Sequence, residues 1–267
     1  MKGVIRHLKS ADIFQKNYSR NKFCIETNNT SPARILDHGH QKWILIGAAV
    51  SLEKEIDLIR KYQKEGWKIA VADAAAAITI KSHILPDIIF SCEIKPYPFF
   101  FHLRKSSLFM HISVFMPVFA HPYQIKQLLK KGFGKFCFFN YDGIRPAHPG
   151  LFSLPAGGNV FNAMLVFFGG FKNIHLLLAG SDYTVSNYKM YAKGASGPVL
   201  HEAMRDRLHS IENHYFSAFQ KIPRIYLPNG GRTTPQFYRC REWMQQYLVL
   251  LQAENPQISI KALFLTT

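Results

Sequence analysis

Cysteine is scarce in this 267-residue chain, and the four present, Cys24, Cys92, Cys137 and Cys240, form no CxxC pair. Their spacing excludes a zinc ribbon, a thioredoxin-type redox pair and a dense disulfide scaffold, so a reducing, cytoplasmic setting fits best. Long apolar runs are missing too. The longest, Leu108 to Ala120 and Val160 to Phe171, fall short of a bilayer span and are broken by His111 and Pro117 or by Asn162. The first residues, Met1 to His7, are charged and have no apolar segment of the kind that leads a secreted protein, so neither a signal peptide nor a transmembrane segment is expected. Acidic residues are also few, with 17 Asp and Glu against 33 Lys and Arg and a formal net charge of +16. That balance attracts anions, whether nucleotides, nucleic acid, anionic lipid or acidic sugars, and leaves membrane-surface contact open. The basic residues are scattered, with no dense block and no specific nucleic-acid motif.

What the chain does have is alternation of short β-like runs with helical patterns, the mark of an α/β protein with a mostly parallel sheet and helices on both faces. Its 48% hydrophobic content supports one main domain. Residues 1–42 read as an N-terminal extension, 43–235 as a nucleotide-binding α/β domain and 236–267 as a C-terminal helix and tail packed on it. Residues 43–48 read as a buried strand, followed by Ser51 as the cap of a helix with Leu52, Ile56, Ile59 and Tyr62 at helical spacing. Gly66 ends that helix, and a strand to Val71, an Ala-rich helix from Asp73 to Ile80 and a strand from Asp87 to Ser91 follow. Between Pro96 and Pro155 neither period dominates; the pattern predicts a helix near 97–105, strand 108–112, helix 123–131 and strand 134–139. Beyond it come helix 158–169, strand 174–179, a polar Tyr-rich stretch 180–198, helix 200–221, strand 224–227 and helix 236–253.

Two glycine-bearing turns stand out, Gly47-Ala48-Ala49-Val50-Ser51 and Gly157-Gly158-Asn159, each after an apolar run and before a helix. A helix N-terminus offers unpaired N–H groups and the positive end of the macrodipole, and small residues let an anion approach, so both turns are candidate phosphate sites. The plainer reading is that each merely links a strand to a helix. Asp73, at the end of a strand, suits acceptance from a ribose hydroxyl or amino group, or else caps the Ala-rich helix. Glu93 ends the next strand and is a ligand or metal candidate, whereas Asp87 at that strand's start reads as a structural turn residue. Asp182 is either a ligand or metal carboxylate or a holder of its own turn. Tyr183, Tyr188 and Tyr191, with Lys189 and Lys193, suit a cover over a diphosphate. His38 and His40 lack further ligands nearby and read as a surface loop.

Ile46-Gly47-Ala48-Ala49-Val50-Ser51-Leu52, Val71-Ala72-Asp73-Ala74-Ala75, Leu85-Pro86-Asp87 running into Ser91-Cys92-Glu93, Gly157-Gly158-Asn159-Val160 and Ala179-Gly180-Ser181-Asp182-Tyr183 come in a telling order. In that order they resemble the motifs of the 6-hydroxymethylpterin diphosphokinase MptE-like family, which includes the core of the motility-associated factor (Maf) glycosyltransferases. Tyr226 to Gly231 is similar to the family's late Asn and Gly-Gly element. The layout is more distantly similar to the bacterial sialyltransferases that use CMP-sialic acid. The chain departs from the family's Gly-x-Gly-Pro-Ser-Leu loop at Ala49 and Val50, and has Glu93 where many relatives have Asp.

The resemblance implies a Rossmann-like sheet with a nucleotide or nucleotide-sugar donor at the strand C-terminal ends. The likeness to the sialyltransferases implies a general-base His in the region of His201, His209 and His214, with no motif fixing which; His201, which opens a helix, is the candidate taken. His201 can take an acceptor hydroxyl's proton near neutral pH. On this reading the protein is a glycosyltransferase using a nucleotide-activated sugar, a CMP-linked acidic sugar being one candidate donor. An ATP-dependent diphosphokinase, with Asp73, Glu93 or Asp182 holding Mg²⁺ and a pterin as acceptor, is the alternative, set back by the lack of a clustered acidic pair in the sequence. A noncatalytic nucleotide- or glycan-binding protein is the third reading, raised by Ala49-Val50. A glycan, protein or pterin acceptor is left open.

Overall fold

The computed structural model describes residues 2–35, 42–94, 103–155, 158–186, 189–195, 216–217, 220, 222–227 and 231–263. Its centre is an eight-stranded parallel sheet. In chain order the elements are α1 (Lys2–Asn28), α2 (Pro32–Ile35), β1 (Lys42–Ile46), α3 (Leu52–Lys64), β2 (Lys68–Ala72), α4 (Asp73–Lys81) and β3 (Ile88–Phe90). After a 3₁₀ turn at Ser107–His111 come β4 (Ser113–Pro117), α5 (Pro122–Lys131), β5 (Lys135–Tyr141), β6 (Ser153–Leu154), α6 (Val160–Gly169) and β7 (His175–Ala179). A small antiparallel pair, β8 (Ile225–Tyr226) and β9 (Arg232–Thr233), leads into α7 (Pro235–Glu254) and β10 (Ser259–Ala262).

Strand order across the sheet is β10-β7-β1-β2-β3-β4-β5-β6. The chain therefore builds outward from β1 to β6, then crosses back through α6 to lay β7 on the other side of β1. Alternate residues of each strand serve opposite faces. Ile44, Ile46, Ile69, Val71, Phe136 and Phe138 pack with α3, α4 and α5 on one face. Trp43, Leu45, Ala70, Cys137 and Phe139 pack with α6 and α7 on the other. Both faces are covered, which is why the strands read as continuous apolar runs in sequence. Phenylalanines fill the second face: Phe90 stacks on Phe115 at 4.7 Å, and Phe115 meets Phe167 edge-on at 4.9 Å.

Several expectations change. The run predicted as strand 108–112 is the 3₁₀ turn, and the strand lies five residues later at Ser113–Pro117. The turn forms because Ser106 Oγ accepts from Leu108 N at 3.2 Å and Phe109 is the buried anchor, so the apolar run is split between a turn and a strand. Of the helix predicted near 97–105, residues 103–105 are not helical and the rest lie outside the described residues. Ser51 does not cap α3: its backbone is already helical (φ −54, ψ −30) and its hydroxyl goes elsewhere. Helix 200–221 falls almost wholly outside the described residues.

The N-terminal stretch forms the 27-residue α1, which passes the residues that follow the C-terminal ends of β3 and β4. Asn17 Nδ2 donates to Ile94 O and Phe119 O at 3.1 Å, and Asn21 Nδ2 donates to Val118 O at 3.1 Å and Ala120 O at 2.7 Å. Two buried amides thus satisfy carbonyls that the strands leave behind. At the end of α1, Thr30 N donates to Phe136 O at 2.7 Å and Asn29 Oδ1 accepts from Phe138 N at 2.9 Å, covering an edge of β5 that β6 does not reach.

Candidate functional site

In an open parallel sheet the chain leaves a crevice where neighbouring strands send their connections to opposite faces. Here that point lies between β1 and β7, and Gly47 and Gly180 follow those two strands. A Cβ on either residue would collide with the carbonyl oxygen of the other, and Gly180 has φ +57. The two backbones are joined further by Gly47 N to Ala179 O at 2.8 Å and Ala49 N to Gly180 O at 2.9 Å. Ala49 is not among the residues with positive φ, so its Cβ creates no conflict there. Much of this first turn's polar backbone is spent within the fold.

A cleft of about 440 Å³ opens beside this junction, large enough for a small ligand. Gly47, Ala48, Asp73, Glu93, Gly158, Asn159, Tyr183 and Tyr191 all line it. Of the remaining predicted site residues, Ser51 and Asp182 are not among its lining: Ser51 Oγ donates to Asp182 Oδ1 at 2.8 Å, and Thr184 Oγ1 donates to Asp182 Oδ2. Asp182 therefore holds its own turn against the start of α3. Gly157, Tyr188 and His201 lie outside the described residues.

Three helices begin at the cleft. Asp73 and Ala74 open α4, Gly158, Asn159, Val160 and Phe161 open α6, and Gln236 and Phe237 open α7. Gly158 has φ +80, a conformation that favours glycine, and Asn159 Oδ1 caps α6 by accepting from Asn162 N at 2.8 Å. Thr234 Oγ1 caps α7 by accepting from Phe237 N at 3.2 Å. Each such end contributes partial positive charge.

Against this stand two carboxyls. Asp73 is 1% exposed, and its Oδ1 accepts from Ala74 N at 2.8 Å. Its position at a helix N-terminus favours ionisation, but burial outweighs this and, with Glu93 nearby, raises its pKa to about 7. The structure thus pairs two carboxyls that the sequence showed no sign of clustering. Asp73 and Glu93 are the residues able to hold a cation with a bound phosphate, although no group of three or more His, Cys, Asp or Glu is placed to hold a metal among the described residues. Behind the first turn, Glu55 Oε2 accepts from Gly180 N at 2.7 Å, and burial raises this carboxyl's pKa to about 7 as well.

Tyr183 is the keystone between the turn after β7 and the start of α6. Its backbone is strained, with φ +55. Four contacts hold it: Asn159 Nδ2 donates to its Oη at 3.0 Å, its Oη donates to Asn162 Oδ1 at 3.0 Å, Thr233 Oγ1 donates to its carbonyl at 2.6 Å, and its ring meets Phe237 edge-on. Burial pushes its phenol pKa up, so it stays neutral. Asn159 and Tyr183 thus spend their side-chain polar groups on structure. Tyr191 meets the same Phe237 at 5.9 Å, and its segment is pinned where Ala192 N donates to Ala48 O at 2.9 Å and Lys193 N to Glu53 Oε1 at 2.6 Å. Together with Met190 they make an aromatic wall.

Sequence reasoning did not single out Ser181, Gln236, Phe237 or Cys240, which line the cleft too. Ser181 is 2% exposed, and its Oγ has no hydrogen-bond partner among the described residues. It stood in a quoted motif beside Asp182, and only the fold shows which of the two faces the cleft.

Sheet, switch-point cleft and helix ends define a Rossmann-like α/β protein. The family described as 6-hydroxymethylpterin diphosphokinase MptE-like matches residues 16–187, and the chain belongs to it. Among solved structures, the Maf glycosyltransferase from Magnetospirillum magneticum AMB-1 is similar, with a TM-score of 0.53 at 14% identity, over 95% of this chain. The match takes in 38% of that protein, so this chain spans well under half of its length, and the likeness is one of fold. No curated protein matches. No helix among the described residues is long and apolar enough to cross a membrane. The family's description supports a transferase.

Proposed function

We propose that the protein transfers a glycosyl group from a nucleotide-activated sugar, taking the donor's phosphate at the N-terminus of α6. The observation that carries this reading is the gathering of helix starts, Ser181 and the carboxyls in one cleft at the strand C-terminal ends. The α6 turn supplies N–H groups beside a glycine, and Ser181 Oγ, which has no partner among the described residues, donates to the phosphate. Tyr191, Phe237 and Met190 cover a flat ring. Asp73, with a pKa of about 7, accepts the proton of an acceptor hydroxyl, the balance a general base needs near neutral pH. His201 remains the base proposed from sequence, with Asp73 as the candidate whose surroundings are described. Tyr188 and Gly157 are proposed ligand contacts on the same grounds.

One observation favours a second reading. The Asp73–Glu93 pair suits Mg²⁺ held between donor phosphates, as a diphosphokinase would require. Thermal-shift measurements with CMP, UDP, GDP, ADP and ATP, each with and without Mg²⁺, test both. Glycosyl transfer predicts stabilisation by a nucleotide without strict need for Mg²⁺, and slow hydrolysis of the matching sugar nucleotide. Diphosphokinase activity predicts Mg²⁺-dependent ATP binding and AMP release with a hydroxymethylpterin. A protein that no nucleotide stabilises refutes both, and one that binds nucleotide but turns over nothing is the noncatalytic binder.

A further inference from the structure

The N-terminal edge of the sheet, where its strands begin, lies opposite the proposed transfer cleft and carries a surface the cleft does not use. From Leu103 to Tyr141 the chain has six Lys and Arg residues and no Asp or Glu. The fold gathers most of them at the N-terminal ends of the strands. Ser106 N donates to Lys131 O at 3.1 Å and Lys131 Nζ donates to Leu103 O, so the segment before β4 lies against the last turn of α5. Arg104, Lys105, Lys130 and Lys135 are exposed there, and Lys81 and His83 line a groove of about 540 Å³ together with Arg104 and Lys105. Asp87, at the start of β3, is already paired with Lys68 at 2.8 Å.

Apolar side chains project from the same surface. The 3₁₀ turn Ser107–His111 is anchored by Phe109, which is buried and stacks on Phe133 at 4.8 Å. Leu108 and Met110 flank that anchor and point outward, 57% and 53% exposed, and Leu129 of α5 is 46% exposed. Large apolar groups grouped on a basic surface mark a site that something partly apolar and anionic covers.

We propose that this edge docks on an anionic phospholipid bilayer, with Leu108 and Met110 entering the boundary between headgroups and acyl chains and Arg104, Lys105 and Lys130 facing lipid phosphates. A nucleic acid would satisfy the charges but leave the apolar pair in water. Docking by this edge turns the cleft, at the strands' other ends, away from the membrane. Each basic residue near such a surface strengthens binding by about fivefold.

Sedimentation of the full chain with phosphatidylcholine vesicles, with and without phosphatidylglycerol, tests this. Binding is expected only to the mixed vesicles and to weaken as salt rises. Arg104→Glu with Lys105→Glu should weaken it by at least about twenty-fold, from two lost contributions of about fivefold. Leu108→Ser with Met110→Ser should weaken it by about tenfold, a partial loss of apolar burial. Both pairs are exposed, and unchanged melting temperatures verify folding. Lys16→Glu with Lys22→Glu, the same charge change on α1, should leave vesicle binding near wild type. Failure to bind mixed vesicles, or equal weakening by the α1 pair, overturns the proposal. So does full vesicle binding by the Leu108 and Met110 variant together with equally tight binding of mixed-sequence duplex DNA, which would mark a general polyanion surface.

Discussion

The turn after β1 and the turn before α6 each place glycine at the start of a helix, yet the two glycines answer different demands. Gly47 is required because the backbone of Gly180 lies against it, and the N–H groups of Gly47 and Ala49 are bonded to residues 179 and 180. Gly158 has open space, with Cys240 Sγ 3.6 Å from where a Cβ would stand, but its φ is +80. The first turn is a joint at the centre of the sheet, with Glu55 and Asp182 behind it. The second faces the cleft with its helix dipole. The proposed phosphate site is therefore set at the second turn, since carboxyl groups lie behind the first and oppose an anion there.

Substitutions that treat the two turns alike should separate them. The largest effect is expected for Gly47→Ala, whose Cβ meets a backbone carbonyl that cannot move aside; urea denaturation should show a loss of about 3 kcal/mol or failure to fold. Gly158→Ala should cost about 1–2 kcal/mol, the strain of an L-residue at positive φ, while nucleotide affinity falls by more than this stability loss explains. Gly158→Val combines the same strain with a bulkier block, so the alanine variant separates binding from folding better.

Smaller still is the effect of Ser51→Ala, which removes the bond to Asp182 and should cost about 1 kcal/mol in stability. A pH effect sharpens the contrast between the joint and the cleft. Asp73 and Glu55 hold pKa values raised to about 7 in the fold, so between about pH 4 and pH 7 the folded state binds more protons than the unfolded chain. Their contribution to stability is full at the acid end of this window and is lost as pH rises through it. Asp73→Asn should melt closer to wild type at acid pH and gain relative to it at higher pH. A difference between the two proteins that does not change with pH would deny the buried charge.

The sheet was legible because its strands are buried on both faces and read as apolar runs between turn residues, from Trp43 to Ile46 and from Ile174 to Ala179. The helix ending at Gly66 was legible from the helical spacing of Leu52, Ile56, Ile59 and Tyr62, and the Ala-rich helix at Asp73 from its run of small residues. The 3₁₀ turn was not, since Leu108 and Met110 alternate with Phe109 as a strand would, and only packing shows that the outer two face water. Helix α1 buries a mixed face: Phe14, Tyr18 and Ile25 pack on the core, but Asn17 and Asn21 are buried with them for carbonyls far along the chain, which masks the apolar period. Strands β6 and β10 are short and are defined by their partners. At the site, the order of motifs located Asp73, Glu93 and Gly158, but no local pattern distinguishes Ser181, facing the cleft, from Asp182, facing Ser51. The contribution of Phe237 depends on where α7 docks, which its Thr234-Pro235 start does not disclose.

The division of labour between the two turns is tested most directly by titrating the best-binding nucleotide into Ser181→Ala and Ser51→Ala by calorimetry, beside wild type. Loss of one charge-assisted hydrogen bond predicts that Ser181→Ala binds about tenfold more weakly with an unchanged melting temperature. Ser51→Ala should bind as wild type does and melt lower. Weakened binding in Ser51→Ala with wild-type affinity in Ser181→Ala would place the phosphate at the first turn and contradict the account.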